Sequence, residues 1–287
     1  MANRIGKIDL HMHTTVSDGT DTPEALIEAV KTAGISLFAV TDHDAVKAAK
    51  IIPPLLCGKN LKFLSGVEFS CKDEFGKYHI LGYGFDPNHA AIQKVVDYGH
   101  SLRMKKLLAR LEFLKTEFGF SFPQEEINHL CALDNPGKPH IGNLMVAYGY
   151  AKTKEEAISQ YINRVHFKNE YVRPEQAISG ILASGGIPIL AHPFYGSGNE
   201  LILGEEMEER LCRLKEFGLQ GLEAFYSGFS LKLQNEALSL AKKHKLYVTA
   251  GSDYHGTNKL VRLGDTGLDE TIDYPLELLR FLEIALG

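Results

Sequence analysis

The segment Lys7-Ile8-Asp9-Leu10-His11-Met12-His13 alternates apolar and polar residues. Successive side chains of a β-strand point to opposite faces, so Ile8, Leu10 and Met12 share one face and Asp9, His11 and His13 the other. At about 3.3 Å per residue the two imidazoles stand roughly 7 Å apart, near enough to reach one metal ion. Further donors follow short apolar runs in Thr41-Asp42-His43-Asp44, Gly66-Val67-Glu68, Ala191-His192-Pro193 and Gly251-Ser252-Asp253-Tyr254-His255. His79, inside Tyr78–Tyr83, would point inward, and Asp18, in the Ser17-Asp18-Gly19 turn, can lean over the same rim. A single histidine at a strand end is commonly a hydrogen-bonded structural residue, but coincidence at six separate segments is the weaker account. Imidazole and carboxylate donors without thiolate suit Zn, Mn, Fe or Mg, and so many donors exceed the needs of one tetrahedral ion. Two or three divalent ions are therefore expected.

The elements that must position these donors read as alternating strands and helices. Lys7–His13, Ser36–Thr41, Lys62–Val67, Tyr78–Tyr83, Ile187–Ala191, Gly221–Phe225 and Leu246–Ala250 are predicted strands. A first helix is signalled by Thr22 as N-cap, Pro23 at the first position and Gly34 at the end. Such alternation implies an α/β fold with a parallel sheet, closed as a seven-stranded (β/α)7 barrel, whose C-terminal strand ends gather residues remote in sequence into one pocket. Between Asn88 and Arg173 the strand signal disappears, and Ala90–Phe118, Gln124–Cys131, His140–Tyr148 and Lys154–Val165 read as helices. The expected organisation is a barrel from residues 1–87 and 174–287, interrupted by a helical subdomain at 88–173.

The 287 residues are 44% hydrophobic with a formal charge of -5, which excludes disorder and a global basic field for nucleic acid or anionic membranes. The start of the chain lacks the apolar stretch of a signal peptide, and nowhere do 18 consecutive apolar residues occur. A soluble cytoplasmic protein with no obligate protein partner is expected. Cys57, Cys71, Cys131 and Cys212 are too scattered for a disulfide framework or thiolate zinc site and are expected to be buried thiols. His89, His100, His129, His166 and His244 fall outside any ligand spacing and are read as structural or solvated. The basic stretch Arg103, Lys105, Lys106 and Arg110 is read as a solvated helix face, the alternative being a wall for an extended anionic substrate.

The ordered motifs His11-Met-His13, Thr41-Asp42-His43, Gly66-Val67-Glu68, Ala191-His192-Pro193 and Gly251-Ser252-Asp253-Tyr254-His255 resemble those of the PHP (polymerase and histidinol phosphatase) family of metal-dependent phosphoesterases. The resemblance spans residues 7 to 260 and is strongest to a stand-alone bacterial branch that includes nucleoside-monophosphate and nucleotide 3',5'-bisphosphate phosphatases, whose distorted barrel carries a helical insertion after the fourth strand. It implies one ion on His11, His13, Glu68 and Asp253, with Glu68 bridging to a second ion also held by His79 and His192, and a third on Asp18, His43 and His255. Glu68, Asp253 and His43 are the implied catalytic residues. Relatives usually have a basic residue soon after Ala-His-Pro, where it can clamp phosphate; here Phe194, Tyr195 and Gly196 follow. Lys138 and His140 lie in a segment where relatives often carry a basic residue and a histidine facing the site, and are the candidate substrate-binding residues.

The expected reaction is hydrolysis of a phosphomonoester of a small metabolite, a nucleotide above all, by a metal-bound hydroxide, since multivalent ions bring the pKa of water near 7. The leaving group would be protonated by water on the third ion or by His140. A phosphodiesterase or exonuclease acting on a short oligonucleotide is the first alternative. A metal-dependent amidohydrolase also begins with His-x-His on a barrel strand but normally needs eight strands and often a bridging lysine. A non-catalytic metal-binding protein is the remaining alternative.

Overall fold

The computed structural model describes residues 6–167, 170–196, 200–269, 271 and 273–287; residues 1–5, part of the N-terminal reading above, lie outside them. Seven strands form one sheet in sequence order: β1 Lys7–Asp9, β2 Ile35–Val40, β3 Lys62–Lys72, β4 Lys77–Tyr83, β5 Ile187–Leu190, β6 Gly221–Tyr226 and β7 Tyr247–Gly251. The chain beyond β1 closes the sheet into a barrel by backbone bonds to the chain around β7. Leu10 N–H donates to Ala250 (2.9 Å), Asp253 N–H to His11 (2.7 Å) and His13 N–H to Tyr254 (2.8 Å).

The strands are not all parallel, as the sequence suggested. β4 runs antiparallel to both β3 and β5. β3 continues to Lys72 and turns straight into β4, with the Asp73 carboxylate accepting the N–H groups of Phe75 and Gly76. Four residues can close a hairpin but cannot make a parallel crossover. The reversal matters for the site. It brings the start of β4 level with the C-terminal ends of its neighbours, so that His79 stands opposite Ser70 and its carbonyl accepts from Ala191 N–H (2.9 Å).

Helices α1 Pro23–Thr32 and α2 Lys47–Leu55 cover one side of the barrel, burying Leu26, Ile27, Val30 and Ile52 against Phe38 and Val40. Thr22 caps α1 by accepting from Ala25 N–H, with Pro23 at the first position, and Gly34 follows the helix at φ 71°. Helices α7 Pro174–Ala183, α8 Gly204–Glu216, α9 Leu231–His244 and α10 Leu276–Leu286 enclose the larger core, which includes Ile178, Ile181, Leu211, Leu214, Leu240 and Phe281. Between β4 and α7 stand α3 Ala90–Phe118, α4 Gln124–Ala132, α5 Lys138–Ala147 and α6 Lys154–Glu156, which continues as a π turn (Ala157–Tyr161) and a 3-10 turn (Ile162–Arg164). The first turns of α3 belong to the barrel core through Ile92 and Val95. Its last turns build a separate apolar cluster, in which Leu107, Leu111 and Leu114 meet Leu130, Ile141, Met145 and Ile162.

Cys71 is buried, but Cys57 and Cys212 are exposed and Cys131 half-buried, so the expectation of buried thiols holds for one of four. Among the unassigned histidines, His89 Nδ1 accepts from Ala91 N–H at the start of α3, and His244 pairs with Glu208 on α8 (2.5 Å). Among the described residues, no helix is long and apolar enough to cross a membrane.

Candidate metal centre

The chain beyond β1, the loops after β2 and β7, the middle of β3, the start of β4 and the end of β5 deliver side chains to one rim. The buried Glu68 carboxylate is its hub. Oε2 lies 3.2 Å from His11 Nε2, 3.1 Å from His13 Nε2 and 3.2 Å from His43 Nδ1. Oε1 lies 2.8 Å from His79 Nδ1 and 3.2 Å from His192 Nε2. Asp253 Oδ1 approaches His11 and His13 at 3.5 and 3.4 Å, and Asp18 Oδ1 approaches His255 Nε2 at 3.4 Å. All nine residues singled out in the sequence thus share one rim.

Three groups could each hold an ion, their donor atoms lying within 4.8 Å of one another: His11, His13, Glu68 and Asp253; His43, Glu68 and His79; and His13, Asp18, His43 and His255. His13 and His43 each belong to two groups, a sharing that strand alternation alone does not reveal. The buried nitrogens His11 Nε2, His13 Nε2, His43 Nδ1 and His79 Nδ1 make no hydrogen bond, yet all turn toward Glu68. Unsatisfied buried polar atoms are costly, and convergent imidazole and carboxylate donors match what a borderline divalent cation takes. The residues present therefore fit divalent metal.

The electrostatics agree. Burial raises the Glu68 carboxyl, but the surrounding His79, His43 and His11 outweigh it and hold the group well below the usual carboxylate range. Burial likewise opposes ionisation of Asp253, which Lys259 and His11 nonetheless keep well below its ordinary value. For His13, burial is overcome by the adjacent carboxylates of Asp253, Glu68 and Asp18, and the imidazole is pushed up to about 9. The Glu68 and Asp253 carboxylates thus stay ionised although buried, as anionic ligands of a cation must be. The backbone of the rim is strained as well: His192, Asp253 and Asp44 have φ of 26°, 59° and 47°, three of the four non-glycine residues at positive φ among those described. Gly251 is required by close approach, since a Cβ there would lie 2.2 Å from His11 Cβ and 2.6 Å from Glu223 Oε1.

The PHP domain family profile matches residues 9–172, more than half of the chain. The chain belongs to the PHP domain family. It is 27% identical over 281 residues to a 3',5'-nucleoside bisphosphate phosphatase of Chromobacterium violaceum, covering 94% of this chain and 93% of that protein. It is 29% identical to a phosphoribosyl 1,2-cyclic phosphate 1,2-diphosphodiesterase of Eggerthella lenta (86% and 94%) and 28% identical to a 5'-3' exoribonuclease of Escherichia coli (89% and 87%). Two solved structures superpose with TM-score 0.80 at 25% identity. One, covering 96% of each chain, is a C. violaceum protein described as an amidohydrolase with bound sulfate and no metal; the other, covering 98% of this chain and 96% of its own, is a Bifidobacterium adolescentis protein described as a candidate metal-dependent phosphoesterase. This PHP protein is a metal-dependent hydrolase of phosphoric esters.

Several residues that build the PHP rim were not legible as site residues. Glu223, fully buried on β6, accepts from His11 Nδ1 (3.0 Å) and from the backbone N–H of His192 (2.8 Å). Donation of the Nδ1 proton fixes the tautomer that leaves Nε2 of His11 free for a metal. The available signal was a carboxylate in the otherwise apolar Gly221–Phe225 run. Asp42 plays a related part for the first loop, accepting from Thr14 N–H, Thr14 Oγ1 and Ser17 Oγ at 2.7 to 2.8 Å. Asp9 shares the strand face of His11 but is used structurally, accepting the N–H groups of Ser252 and Gly264, and burial pushes it up to about 6. Because Glu223 orients two rim residues, Glu223→Gln is expected to weaken metal affinity by about 10- to 100-fold. Titration of apo-protein with Mn²⁺ or Zn²⁺ checks this, and unchanged affinity would contradict the positioning role.

The basic stretch of α3 is not a solvated face. Arg103, Lys106 and Arg110, spaced three and four residues apart, share one side of the helix and border a cavity of about 240 Å³ with Lys77, Lys138 and Tyr171. Lys106 and Arg110 are buried, whereas Lys105 points away and pairs with Glu170 (3.3 Å). Arg103 donates to Asp44 Oδ2 (2.6 Å) and Ser70 Oγ (3.0 Å), and Nε of Arg110 is buried with no hydrogen-bond partner. The cavity opens onto the metal rim, because Asp18, His43 and His79 line it too. Lys138 also lines this cavity and donates to Asn163 Oδ1 (2.7 Å). His140 does not border it; its Nδ1 accepts Gly137 N–H (3.0 Å) at the start of α5.

Proposed function

We propose that this PHP protein removes phosphate from a nucleotide carrying a second phosphate, a nucleoside 3',5'-bisphosphate. The observation that carries the reading is the cationic cavity beside the rim: Arg103, Lys106, Arg110 and Lys138 face space contiguous with the candidate ligands His43 and His79. A mononucleotide with its only phosphate at the rim leaves that wall unused.

We assign His11, His13, Glu68 and Asp253 to one ion, Glu68, His79 and His192 to a second, and Asp18, His43 and His255 to a third, with Glu68 as the bridging carboxylate. Divalent ions held there supply Lewis acidity to the phosphoryl oxygens and an acidified water. Water attacks phosphorus, the ester P–O bond breaks, and the leaving alkoxide takes up a proton. His43, Glu68 and Asp253 act at the reacting centre. Lys138 with the α3 cations holds the phosphate that is not cleaved, and the segment 88–173, which supplies all four, is the specificity subdomain. His140 borders neither cavity at the rim; its Nδ1 accepts Gly137 N–H, which leaves the ring proton on Nε2, the atom from which it would protonate the leaving group.

An exonuclease acting on a 5'-phosphorylated oligonucleotide uses the same two anion sites, and the exoribonuclease relative favours it as a second reading. The amidohydrolase reading is disfavoured because seven strands form the barrel and the residue between the ion groups is the carboxylate of Glu68. Hydrolysis of a nucleoside 3',5'-bisphosphate, a nucleoside monophosphate and a short 5'-phosphorylated RNA separates the readings, the bisphosphate being the expected best substrate by kcat/KM.

Replacing Lys106 and Arg110 together by methionine is expected to raise KM for the bisphosphate by about 10²-fold, one to two kcal/mol per lost charged contact, while KM for p-nitrophenyl phosphate stays within twofold. Equal effects on both substrates would overturn the second-phosphate site. pH has a calculable sign. Burial, reinforced by Arg103 and Arg110 on the same helix and Lys138 on α5 and opposed by the carboxylate of Asp44, pushes Lys106 down to about 7; burial and Arg110 push Lys138 down to about 8. Both lose charge as pH rises through that window, so KM for the bisphosphate should climb between pH 6.5 and 8.5 more steeply than KM for p-nitrophenyl phosphate.

A further inference from the structure

Directly over the candidate ligands lies a second, smaller cavity of about 100 Å³, where a phosphoryl group bound to the rim would sit. Besides carboxylates and imidazoles of the rim, Tyr195, Tyr226 and Lys259 border it. Tyr195 is committed to Gly228 O (2.7 Å) and Tyr226 donates to Asp253 Oδ2 (2.9 Å). Lys259 is the only cation bordering this cavity among the described residues. The α3 cations and Lys138 border the neighbouring cavity and not this one. After Ala-His-Pro, where a cation would meet the same space, Phe194 is fully buried against Phe229.

The placement of Lys259 is controlled from two sides. It follows the 3-10 turn Gly256–Asn258, which is tied to the first rim loop by Thr257 N–H donating to Thr20 Oγ1 (2.9 Å) and Asn258 Nδ2 donating to the Asp18 carbonyl (2.8 Å). From α6, Lys154 Nζ donates to the backbone carbonyl (3.1 Å) and Oδ1 (3.0 Å) of the same Asn258. Lys259 Nζ donates to Asp253 Oδ2, the oxygen turned away from His11 and His13, and its side chain stays 40% exposed. An ammonium has three donors, so one contact with Asp253 leaves others directed at the cavity.

Resting on the phosphoester reading above, we propose that Lys259 is the protein cation that contacts the phosphoryl group under attack, taking the place of a basic residue after Ala-His-Pro. A fixed ammonium over the reacting phosphoryl oxygens stabilises charge that builds in the transition state. Lys259 is then a determinant of every phosphoester reaction at this rim, whatever the rest of the substrate.

The test uses metal-loaded protein as wild type, Lys259→Met and Lys259→Arg, with three readouts: metal content, inorganic phosphate binding by calorimetry, and hydrolysis of p-nitrophenyl phosphate and the bisphosphate. The expected result for Lys259→Met is unchanged metal content, phosphate affinity lowered by about tenfold and kcat/KM lowered on the order of 10²-fold for both substrates, with Lys259→Arg restoring most of each. Unchanged phosphate affinity would overturn the proposal. So would loss of an ion in Lys259→Met, which would make the residue a support for Asp253 alone. If wild type binds phosphate but hydrolyses neither ester, the phosphoester reading fails, and the calorimetric comparison still decides the role of Lys259.

Discussion

Glu68→Gln is expected to lower kcat by about 10³-fold, several kcal/mol of transition-state stabilisation, and to do so even at saturating metal. Glutamine keeps the shape of the side chain but replaces one carboxylate oxygen with an NH2 group, which cannot ligate. Five imidazoles turn to the two oxygens of Glu68, three to Oε2 and two to Oε1. Whichever way the amide is placed, one set of imidazoles loses the anionic donor beside it, and ions held on the two sides of residue 68 would no longer share a carboxylate. His255→Ala removes a donor from one group only, so its effect on kcat should be much smaller. Both variants should fold, because these side chains sit on the rim above the apolar core rather than within it. Turnover at increasing Mn²⁺, with circular dichroism as the folding control, makes the comparison, and equal losses in the two variants would refute a bridging role for Glu68.

How far the site could be read in advance followed from the range over which each signal acts. The pairing of His11 with His13 is local, fixed by the two-residue period of an extended chain, and the donors after later strands are local to strand ends. Their convergence needed only barrel closure. The orientation of β4 was also encoded nearby, in the short Asp73-Glu74-Phe75-Gly76 turn, but ending the third strand at Val67 instead of Lys72 left a gap that read as a crossover. Glu223 and Arg110 are different. A lone carboxylate within an apolar strand, and cations at helical spacing, acquire meaning only from what packs opposite. Glu223 meets His11 across the neighbouring strand β7, over Gly251, and α3 lays its basic side over the mouth of the rim. The same charges on a helix facing solvent would have matched the solvated reading, so composition and periodicity could not decide between them.

Removal of metal is the second large effect. Exhaustive chelation is expected to abolish hydrolysis, and protein purified without chelator should carry more than one divalent ion per chain. The argument is one of donor count: Glu68, His13 and His43 each belong to two of the three groups, and a single tetrahedral ion on His11, His13, Glu68 and Asp253 would leave the buried nitrogens of His43 and His79 without partners. Apo-protein should remain folded, because its hydrophobic clusters do not include the rim donors, but it should melt at lower temperature. Binding to the native state alone stabilises by RT ln(1 + [L]/Kd), about 4 kcal/mol at a thousandfold excess over Kd. Affinity should fall on acidification, since imidazoles must shed their protons to ligate. Metal analysis, thermal melts and activity during stepwise return of Mn²⁺ or Zn²⁺ provide the measurement. Full activity with one stoichiometric ion would show that the shared donors do not form a multi-ion centre, and activity surviving chelation with no ion detectable would remove metal from the reaction altogether.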